Sequence, residues 1–330
     1  MKYRAAYSHL LSCCLLLTTI LTHSAPLPDR YTESPSIGYV GRMSKILFDA
    51  NVTDTTIATD MIIRNVFGMM DMKSAIKIYD DRNALIHDLS ENRVDAIFTN
   101  TIDYFALDHL INSDYIYTLI YASSAHQKAY LLIRKNDRIN NLEDLRGKII
   151  SIPDGHDLGR LFLDVQLRKN GLPGLDDYFS GIKQTIDTNT AVVDLFFGKS
   201  DCALVSDVAF ELAAELNKQI PQDLEVLIAS DYMIPQIIAI NKNVPHSIFK
   251  RVDEFLIKAH ENPRIKHLLS LFRAKKFVKL EQNQLIESRR LLDEYEVLLK
   301  QAGAIINPAI RSLNFSHSNV PNLHGQNRCT

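Results

Sequence analysis

The feature that most limits the fold of this 330-residue chain is an internal repeat. Five residues recur at a constant offset of 106 positions, beginning at Asp81 and again at Asp187. The two sets are Asp81, Asn83, Asp88, Leu89 and Asp95, and Asp187, Asn189, Asp194, Leu195 and Asp201. In each copy the first Asp can cap a helix by accepting hydrogen bonds from free backbone N–H groups, and the last Asp begins a strand-like run. The repeat therefore favours two similar lobes.

Around the repeat, short apolar runs alternate with amphipathic stretches, which is typical of α/β folds. The apolar runs predict strands at 36–41, 75–80, 95–100, 115–122, 129–135, 148–153, 182–187, 201–206, 224–229 and 235–241. The amphipathic stretches predict helices at 56–68, 82–91, 101–112, 157–170, 189–198 and 207–218, and a helix-rich region at 246–300. We therefore predict an α/β fold of two similar lobes with mostly parallel sheets.

Two extended segments, "KAYLLIRKNDRI" and "ASDYMIPQIIAINKN", lead out of the first lobe and back into it. They predict a two-stranded hinge, with a ligand cleft between the lobes. On this prediction lobe 1 comprises residues 35–128 and 237–303, and lobe 2 comprises residues 129–236. Residues 304–330 are polar and are predicted to be a disordered tail.

The N-terminus carries the pattern of a secretory signal peptide. Lys2 and Arg4 precede a mostly apolar run, Leu10–Leu21, and small residues follow near Ala25. This run is shorter than the ~20 residues that a membrane-spanning helix needs. We expect residues 1–25 to direct export to the periplasm and to be removed. A buried N-terminal helix, an uncleaved anchor and a lipid anchor are the alternatives.

Charge and cysteine content narrow the class of function further. The chain has 37 basic and 39 acidic side chains, so it lacks the basic excess of a nucleic-acid-binding protein. Its four cysteines lack metal-ligand spacing, and a structural disulfide is not expected. We expect no metal, no other cofactor, no nucleic-acid partner and a monomeric protein.

Three stretches resemble a known family. "AYLLIRKNDRINNLEDLRGKIISIPDGHDLGRLFLDVQLRKNGL" is similar to the start of the second lobe in type II periplasmic solute-binding proteins, with Asn141–Lys148 matching a typical turn. "ENRVDAIFTNTIDYFAL" and "FFGKSDCALVSDVAF" match the paired strand starts of that family, although Asn92 replaces the usual Gly in the first. The resemblance spans roughly residues 35–300. It is closest to the phosphate/phosphonate-type binding proteins of ABC transporters.

The resemblance implies that two lobes close over a small polar ligand, which a membrane permease or sensor then detects. The ligand loop departs from the family pattern. Phosphonate binders carry a loop rich in Ser and Thr at the start of the second-lobe helix, whereas this chain has Asp154-Gly155-His156-Asp157. Two carboxylates at a helix start repel a dianion. The loops therefore favour a cationic or zwitterionic ligand, or one with hydroxyl and amine groups.

Ligands of open α/β sheets bind beyond the carboxyl ends of the strands, and polar residues cluster at those positions in this chain. Arg42 is a candidate partner for a ligand carboxylate, and Tyr121 is a candidate stacking residue. The alternative roles are helix capping, surface exposure and core packing. The full set of predicted ligand-binding residues is Arg42, Asp54, Thr55, Thr99, Asn100, Thr101, Tyr104, Tyr121, Asp154, His156, Asp157, Arg160, Thr188, Asn189, Ser206 and Asp207.

An exported solute-binding protein without catalytic activity is the leading interpretation, and two others remain open. A periplasmic enzyme on the same fold, such as a dehydratase, would need an acid/base pair in the cleft. The candidates for that pair are His156, Asp154, Asp157 and Asp103. For His156, Asp157 and Arg160 the alternative is that Asp157 caps the helix while His156 faces solvent. A ligand sensor without a transport role is the third interpretation.

Overall fold

A computed structural model describes residues 35–40, 60–61, 63–65, 67–69, 75–79, 81–121, 124–271 and 274–302. The predicted signal peptide, the predicted C-terminal tail and three predicted ligand-binding residues, Arg42, Asp54 and Thr55, lie outside this range. Among the described residues, no helix has the length and apolar character needed to cross a membrane.

The chain forms two separate β-sheets, and all ten predicted strands are present. The strands are β1 Ser36–Val40, β2 Ala75–Tyr79, β3 Ala96–Asn100, β4 Ile111–Tyr121, β5 Ala129–Arg134, β6 Ile149–Pro153, β7 Gly181–Thr185, β8 Cys202–Ser206, β9 Leu224–Ala229, β10 Gln236–Asn241 and β11 Ala274–Lys279. The first sheet has the order β11-β4-β10-β3-β1-β2, and the second has the order β7-β6-β8-β5-β9. Each sheet is the centre of one lobe.

Helices cover both sheets, and seven of the described helices are longer than eight residues. The helices are α1 Arg82–Ser90, α2 Thr101–Leu107, α3 Asp157–Lys169, α4 Leu175–Tyr178, α5 Thr188–Phe196, α6 Asp207–Leu216, α7 Ile220–Asp223, α8 His246–Lys258, α9 Pro263–Leu271 and α10 Ile286–Gln301. The described residues between 60 and 69 are also helical. Helix α2 is shorter than predicted, because a 3-10 turn, Asp108–Leu110, leads directly into β4.

The prediction of mostly parallel sheets is wrong, because both sheets are mixed. Only three adjacent strands in each are parallel: β2, β1 and β3 in the first, and β7, β6 and β8 in the second. These trios are connected through helices, as parallel pairing requires. The other strands pair antiparallel. Four of them, β4, β5, β9 and β10, lead into or out of the crossings between lobes, and the described residues of these crossings, 124–128 and 230–235, include no helix.

The internal repeat corresponds to a repeated unit of structure. Strand β2, helix α1 and strand β3 are related to β7, α5 and β8 by the same offset of 106 positions. Asp81 Oδ1 accepts a hydrogen bond from Ala84 N at 2.9 Å, and Asp187 Oδ1 accepts one from Thr190 N at 2.5 Å. Both residues are therefore helix caps, as predicted.

The second and last Asp of each copy also have matching roles. Asp88 lies 3.6 Å from Lys77 and 2.8 Å from Arg93. Its counterpart Asp194 lies 2.7 Å from Lys183 and 3.5 Å from Lys199, which stand 106 positions after Lys77 and Arg93. The last Asp of each copy, Asp95 or Asp201, accepts a backbone N–H from the start of the neighbouring strand at 2.8 Å. The two lobes thus share ion pairs as well as topology.

Asn92 replaces the Gly of the family pattern without changing the backbone of the turn. Its φ is +56°, and Gly198, 106 positions later, has φ +70°. Asn is one of the few residues other than Gly that adopt this left-handed conformation at low cost. The Asn92 side chain also accepts a hydrogen bond from Asn243 Nδ2 at 2.7 Å. The substitution is therefore compatible with the same turn.

Two crossings connect the sheets, and they are hydrogen-bonded to each other. Gln127 N donates to Met233 O, and Met233 N donates to Gln127 O, both at 2.8 Å. The two crossings run antiparallel at this bridge. The predicted two-stranded hinge is therefore present. The predicted residue boundaries of the lobes remain a prediction.

Candidate ligand-binding cleft

The cleft lies where the carboxyl ends of the two sheets face each other. Asn100 ends β3 in the first sheet, and Asp157 begins the helix that follows β6 in the second. Asn100 Nδ2 donates a hydrogen bond to Asp157 Oδ2 at 2.9 Å, and both residues are buried. This bond directly joins the two lobes at the position where open α/β sheets bind their ligands.

On the first-lobe side, Asn100 organises a small polar network. Its Oδ1 accepts a hydrogen bond from Asp103 N at 2.7 Å, which caps α2, and its Nδ2 also lies 3.3 Å from Asp103 Oδ2. The other oxygen of Asp103 lies 3.0 Å from Arg82 Nε at the start of α1. Thr101 Oγ1 donates to Ile234 O in the returning crossing. The network links the cleft to the hinge.

Three further residues complete this wall, and one of them, Gln236, is absent from the predicted set. Gln236, the first residue of β10, is opposite Asn100 in the strand pairing and is 3% exposed. The Tyr121 side chain lies beside that of Gln236, and burial raises the pKa of the Tyr121 hydroxyl. Thr99, one residue earlier in β3, is also buried. The position of Gln236 at the start of a strand that leaves a crossing was the only signal for it in the sequence.

Tyr104 contacts a residue outside the polar network around Asn100. Its side chain is 1% exposed, and its hydroxyl accepts a hydrogen bond from Gln282 Nε2 at 2.9 Å. Burial raises the pKa of the Tyr104 hydroxyl. Gln282 opens the turn that precedes α10. The structure therefore gives Tyr104 a packing role between α2 and the C-terminal helix.

On the second-lobe side, Asp157 and Arg160 are 6% exposed. Burial lowers the pKa of the Arg160 guanidinium, and the carboxylates of Asp176, Asp157 and Asp154 oppose that effect. Arg160 Nη2 lies 3.3 Å from Asp176 Oδ1. Asp157 is the first helical residue rather than the cap, because His156 occupies the N-cap position. The expectation that Asp157 caps α3 is therefore wrong, and its carboxylate instead meets Asn100.

His156 is half-buried with its Nε2 atom buried, so the expectation that it faces solvent is also wrong. Its ring lies against Gly159, one turn into α3, where an added Cβ would stand 2.2 Å from the ring Nε2. Burial lowers the pKa of His156 to about 4, although a hydrogen bond with the backbone of Val205 opposes this shift. At neutral pH the imidazole is therefore uncharged, and it contacts the first turn of α3 and the backbone of β8.

The remaining predicted residues lie at neighbouring helix starts of the second lobe. Asp154 Oδ1 accepts a hydrogen bond from Gln184 Nε2 at 3.2 Å, and Thr188 and Asn189 form the first turn of α5. Ser206 Oγ caps α6 by accepting from Ala209 N at 3.2 Å. Asp207 is 8% exposed, and burial raises the pKa of its carboxyl group.

Of the predicted ligand-binding residues, direct contacts bring together Asn100 and Asp157, with Arg160 close to Asp157. Tyr121 joins the same region through Gln236. Arg82 and Gln236 are absent from the predicted set, because each acts through a contact with a residue that is distant in the chain. The assignment of these residues to ligand binding remains a prediction.

Comparison with protein families identifies one match that covers most of the chain. Residues 61–285 match the family described as the periplasmic substrate-binding protein of phosphonate ABC transporters. No curated protein sequence matches the chain.

Solved structures with the same fold support this match. A binding-protein component of an ABC phosphonate transporter from Pseudomonas aeruginosa has 13% identity and a TM-score of 0.60, over 85% of this chain and 92% of that one. PhnD1 from Prochlorococcus marinus, in complex with methylphosphonate, has 12% identity and a TM-score of 0.58, over 83% and 100%. A Xanthomonas citri protein bound to ATP has 12% identity and a TM-score of 0.59, over 83% and 99%. At these identities the structures are similar in fold alone.

Proposed function

The chain belongs to the family of periplasmic substrate-binding proteins of phosphonate ABC transporters, whose role is solute binding, and we propose that its own solute carries a positively charged group. The observation that carries this proposal is the buried carboxylate of Asp157 at the first turn of α3, aimed at the other lobe. A solute held between the lobes meets that carboxylate. An ammonium or guanidinium group pairs with it, whereas a phosphonate dianion is repelled.

Further carboxylates support the same polarity. Asp103 approaches the same Asn100 amide from the first lobe, and Asp207 begins α6 at the neighbouring strand end of the second lobe. Arg82 and Arg160 lie beside Asp103 and Asp157, so the wall also contains cationic groups that can hold a carboxylate. A zwitterion that combines an amine with a carboxylate fits this pattern of charges. We propose such a solute as the ligand.

We further propose that the cleft binds its solute without chemical change. An enzyme on this fold would use His156 as its base, since it is the only described histidine at the cleft-facing helix starts. Its ring is packed against Gly159 and β8 and has its pKa lowered to about 4. A general base must reach the proton that it removes, and the Nε2 atom of this ring is buried.

In this proposal the exported protein delivers its solute to a membrane permease, and hinge motion about the two crossings opens and closes the cleft. Solute that contacts both Asn100 and Asp157 stabilises the closed form, because those groups meet only when the lobes approach. The permease is expected to detect that form. Residues 1–25 are proposed to direct the export that this role needs.

A thermal-shift and calorimetric screen tests the ligand class. The panel contains amino acids, polyamines, methylphosphonate and inorganic phosphate, each at several concentrations. We expect a solute with a cationic group to raise the Tm, and Asp157→Asn to weaken its binding by at least about tenfold, or ~1.4 kcal/mol. Asp176→Asn is the matched control, since Asp176 is an exposed carboxylate that also contacts Arg160.

Two outcomes contradict the proposal in different ways. Binding of methylphosphonate or phosphate without binding of any cationic solute overturns the assigned charge and leaves the solute-binding role intact. Mass spectrometry monitors whether a bound compound is converted into a new product. Such a conversion would overturn the proposal that the cleft binds its solute unchanged.

A further inference from the structure

A surface groove lies along the C-terminal helix α10. Its volume is about 880 Å³, and its walls come from α10, from Phe105 of α2 and from Lys169 at the end of α3. Two apolar side chains of α10 line it while remaining exposed to solvent, Ile286 at 57% and Val297 at 50%. Exposed apolar side chains along a groove indicate a surface that another segment covers.

Most of the charged side chains along the groove form ion pairs, and one carboxylate is in none of the described pairs. Lys169 lies 3.3 Å from Glu294, Arg289 lies 3.2 Å from Asp108, and Arg290 lies 2.5 Å from Asp231. Asp293 also lines the groove and is exposed, and none of the described ion pairs includes it. The groove thus offers apolar contacts and an available negative charge.

The chain itself continues from one end of this groove. Gln301, the last residue of α10, lines the groove, and residues 303–330 follow after Ala302. These residues include neither Asp nor Glu, and they carry Arg311 and Arg328. Their first half holds five large apolar side chains at Ile305, Ile306, Ile310, Leu313 and Phe315. Gly303 stands where the chain would have to reverse direction.

We propose that the C-terminal tail, residues 303–330, folds back and occupies the groove along α10. The length of the tail is sufficient to span the groove. The 16 residues of α10 extend about 24 Å at ~1.5 Å per residue, and an extended chain covers that length in about seven residues at ~3.3 Å each. A tail that reverses at Gly303 then brings Ile306 near Val297 and Ile310 near Ile286, and these two tail residues lie on the same face of an extended chain. The apolar spacing of the tail thus matches that of the groove.

Disulfide trapping in the full chain tests this proposal. Cys13, Cys14 and Cys329 are replaced by serine, and the buried Cys202 is kept. The test variant adds Ile286→Cys and Ile310→Cys, and the control variant adds Leu216→Cys and Ile310→Cys. Leu216 is a matched exposed apolar residue, at 72%, on helix α6 of the other lobe. We expect the test pair to form an intramolecular disulfide at least about ten times faster under mild oxidation, measured by non-reducing gel mobility and mass.

Equal rates for the two pairs would overturn the proposal, and so would disulfide-linked dimers in place of the monomeric product, since these would indicate a second copy in the groove. Hydrogen exchange provides an independent measurement. Removal of residues 303–330 should speed exchange along α10 and leave α5 unchanged. Identical exchange along α10 with and without the tail would also contradict it.

Discussion

At the scale of single residues, His156 illustrates how a polar motif can be part of the core. The stretch from Asp154 to Arg160 has the composition of a catalytic or ligand loop, and its histidine suggests acid/base chemistry. In the structure the absence of a side chain at Gly159 lets the imidazole fold onto the first turn of α3. The ring is then uncharged at neutral pH, and its burial makes the stability of the second lobe depend on pH.

We expect the free energy of unfolding to fall as the pH is lowered from 6.5 towards 4. The unfolded chain protonates His156 near its ordinary pKa of 6.5, while the folded protein resists protonation until the pH approaches 4. Between these values the unfolded state binds more protons, so acid favours unfolding by up to ~3 kcal/mol. Urea denaturation at pH 7, 5 and 4 measures this change.

His156→Gln should remove this part of the pH dependence. His267→Gln, which changes an exposed histidine, should retain it. An unchanged slope of stability against pH in His156→Gln would mean that other groups cause the acid sensitivity.

At the scale of helices and strands, the sequence was most informative where local patterns decide the structure. The ten predicted strands and the caps at Asp81 and Asp187 depend on apolar periodicity and on short side chains beside free N–H groups, and both are local signals. Strand β11 was missed inside a region predicted to be helix-rich. Its sequence, AKKFVK, is lysine-rich, as suits a strand at the edge of a sheet, and its pairing partner β4 is more than 150 positions away.

Contacts across the cleft were harder to predict because they join residues that are distant in the chain. Asn100 and Asp157 meet because two separately folded lobes approach each other, and no periodic pattern encodes that distance. Arg82 and Gln236 likewise become part of the cleft only through a neighbouring strand or helix. The direction of the outer strands was also mispredicted, because it depends on how the crossings enter each sheet.

The repeat allows a matched comparison between two equivalent carboxylates. Asp194 has a side chain only 4% exposed with two lysine partners, whereas the equivalent Asp88 is 22% exposed. We expect Asp194→Asn to lower the free energy of unfolding by about 1–3 kcal/mol, because it leaves buried polar contacts unsatisfied. Asp88→Asn should lower it by less. Chemical denaturation of both variants measures the difference, and a larger loss for Asp88→Asn would contradict this use of the repeat.

At the scale of the whole molecule, the C-terminal helix contacts both lobes and a crossing. Arg289 of α10 pairs with Asp108 beside the first sheet, and Glu294 pairs with Lys169 of the second lobe. Arg290 pairs with Asp231 in the returning crossing. Any motion that opens the cleft must therefore change contacts along α10. If the cleft opens as proposed, the Asn100–Asp157 bond and the α10 contacts both contribute to the free-energy difference between the open and closed forms.

An exchange of residues 100 and 157 tests how much the Asn100–Asp157 hydrogen bond contributes to closure of the cleft. Asn100→Asp preserves the cap of α2, since Asp and Asn cap equally well, but it places a carboxylate opposite Asp157. We expect repulsion to favour the open form, seen as a larger radius of gyration in solution scattering and weaker solute binding. Adding Asp157→Asn restores an amide–carboxylate pair with donor and acceptor exchanged, so the double variant should return towards the wild-type radius. If the single variant keeps the wild-type radius, or the double variant stays as open as the single, then this bond does not control closure and the contacts of α10 must do so.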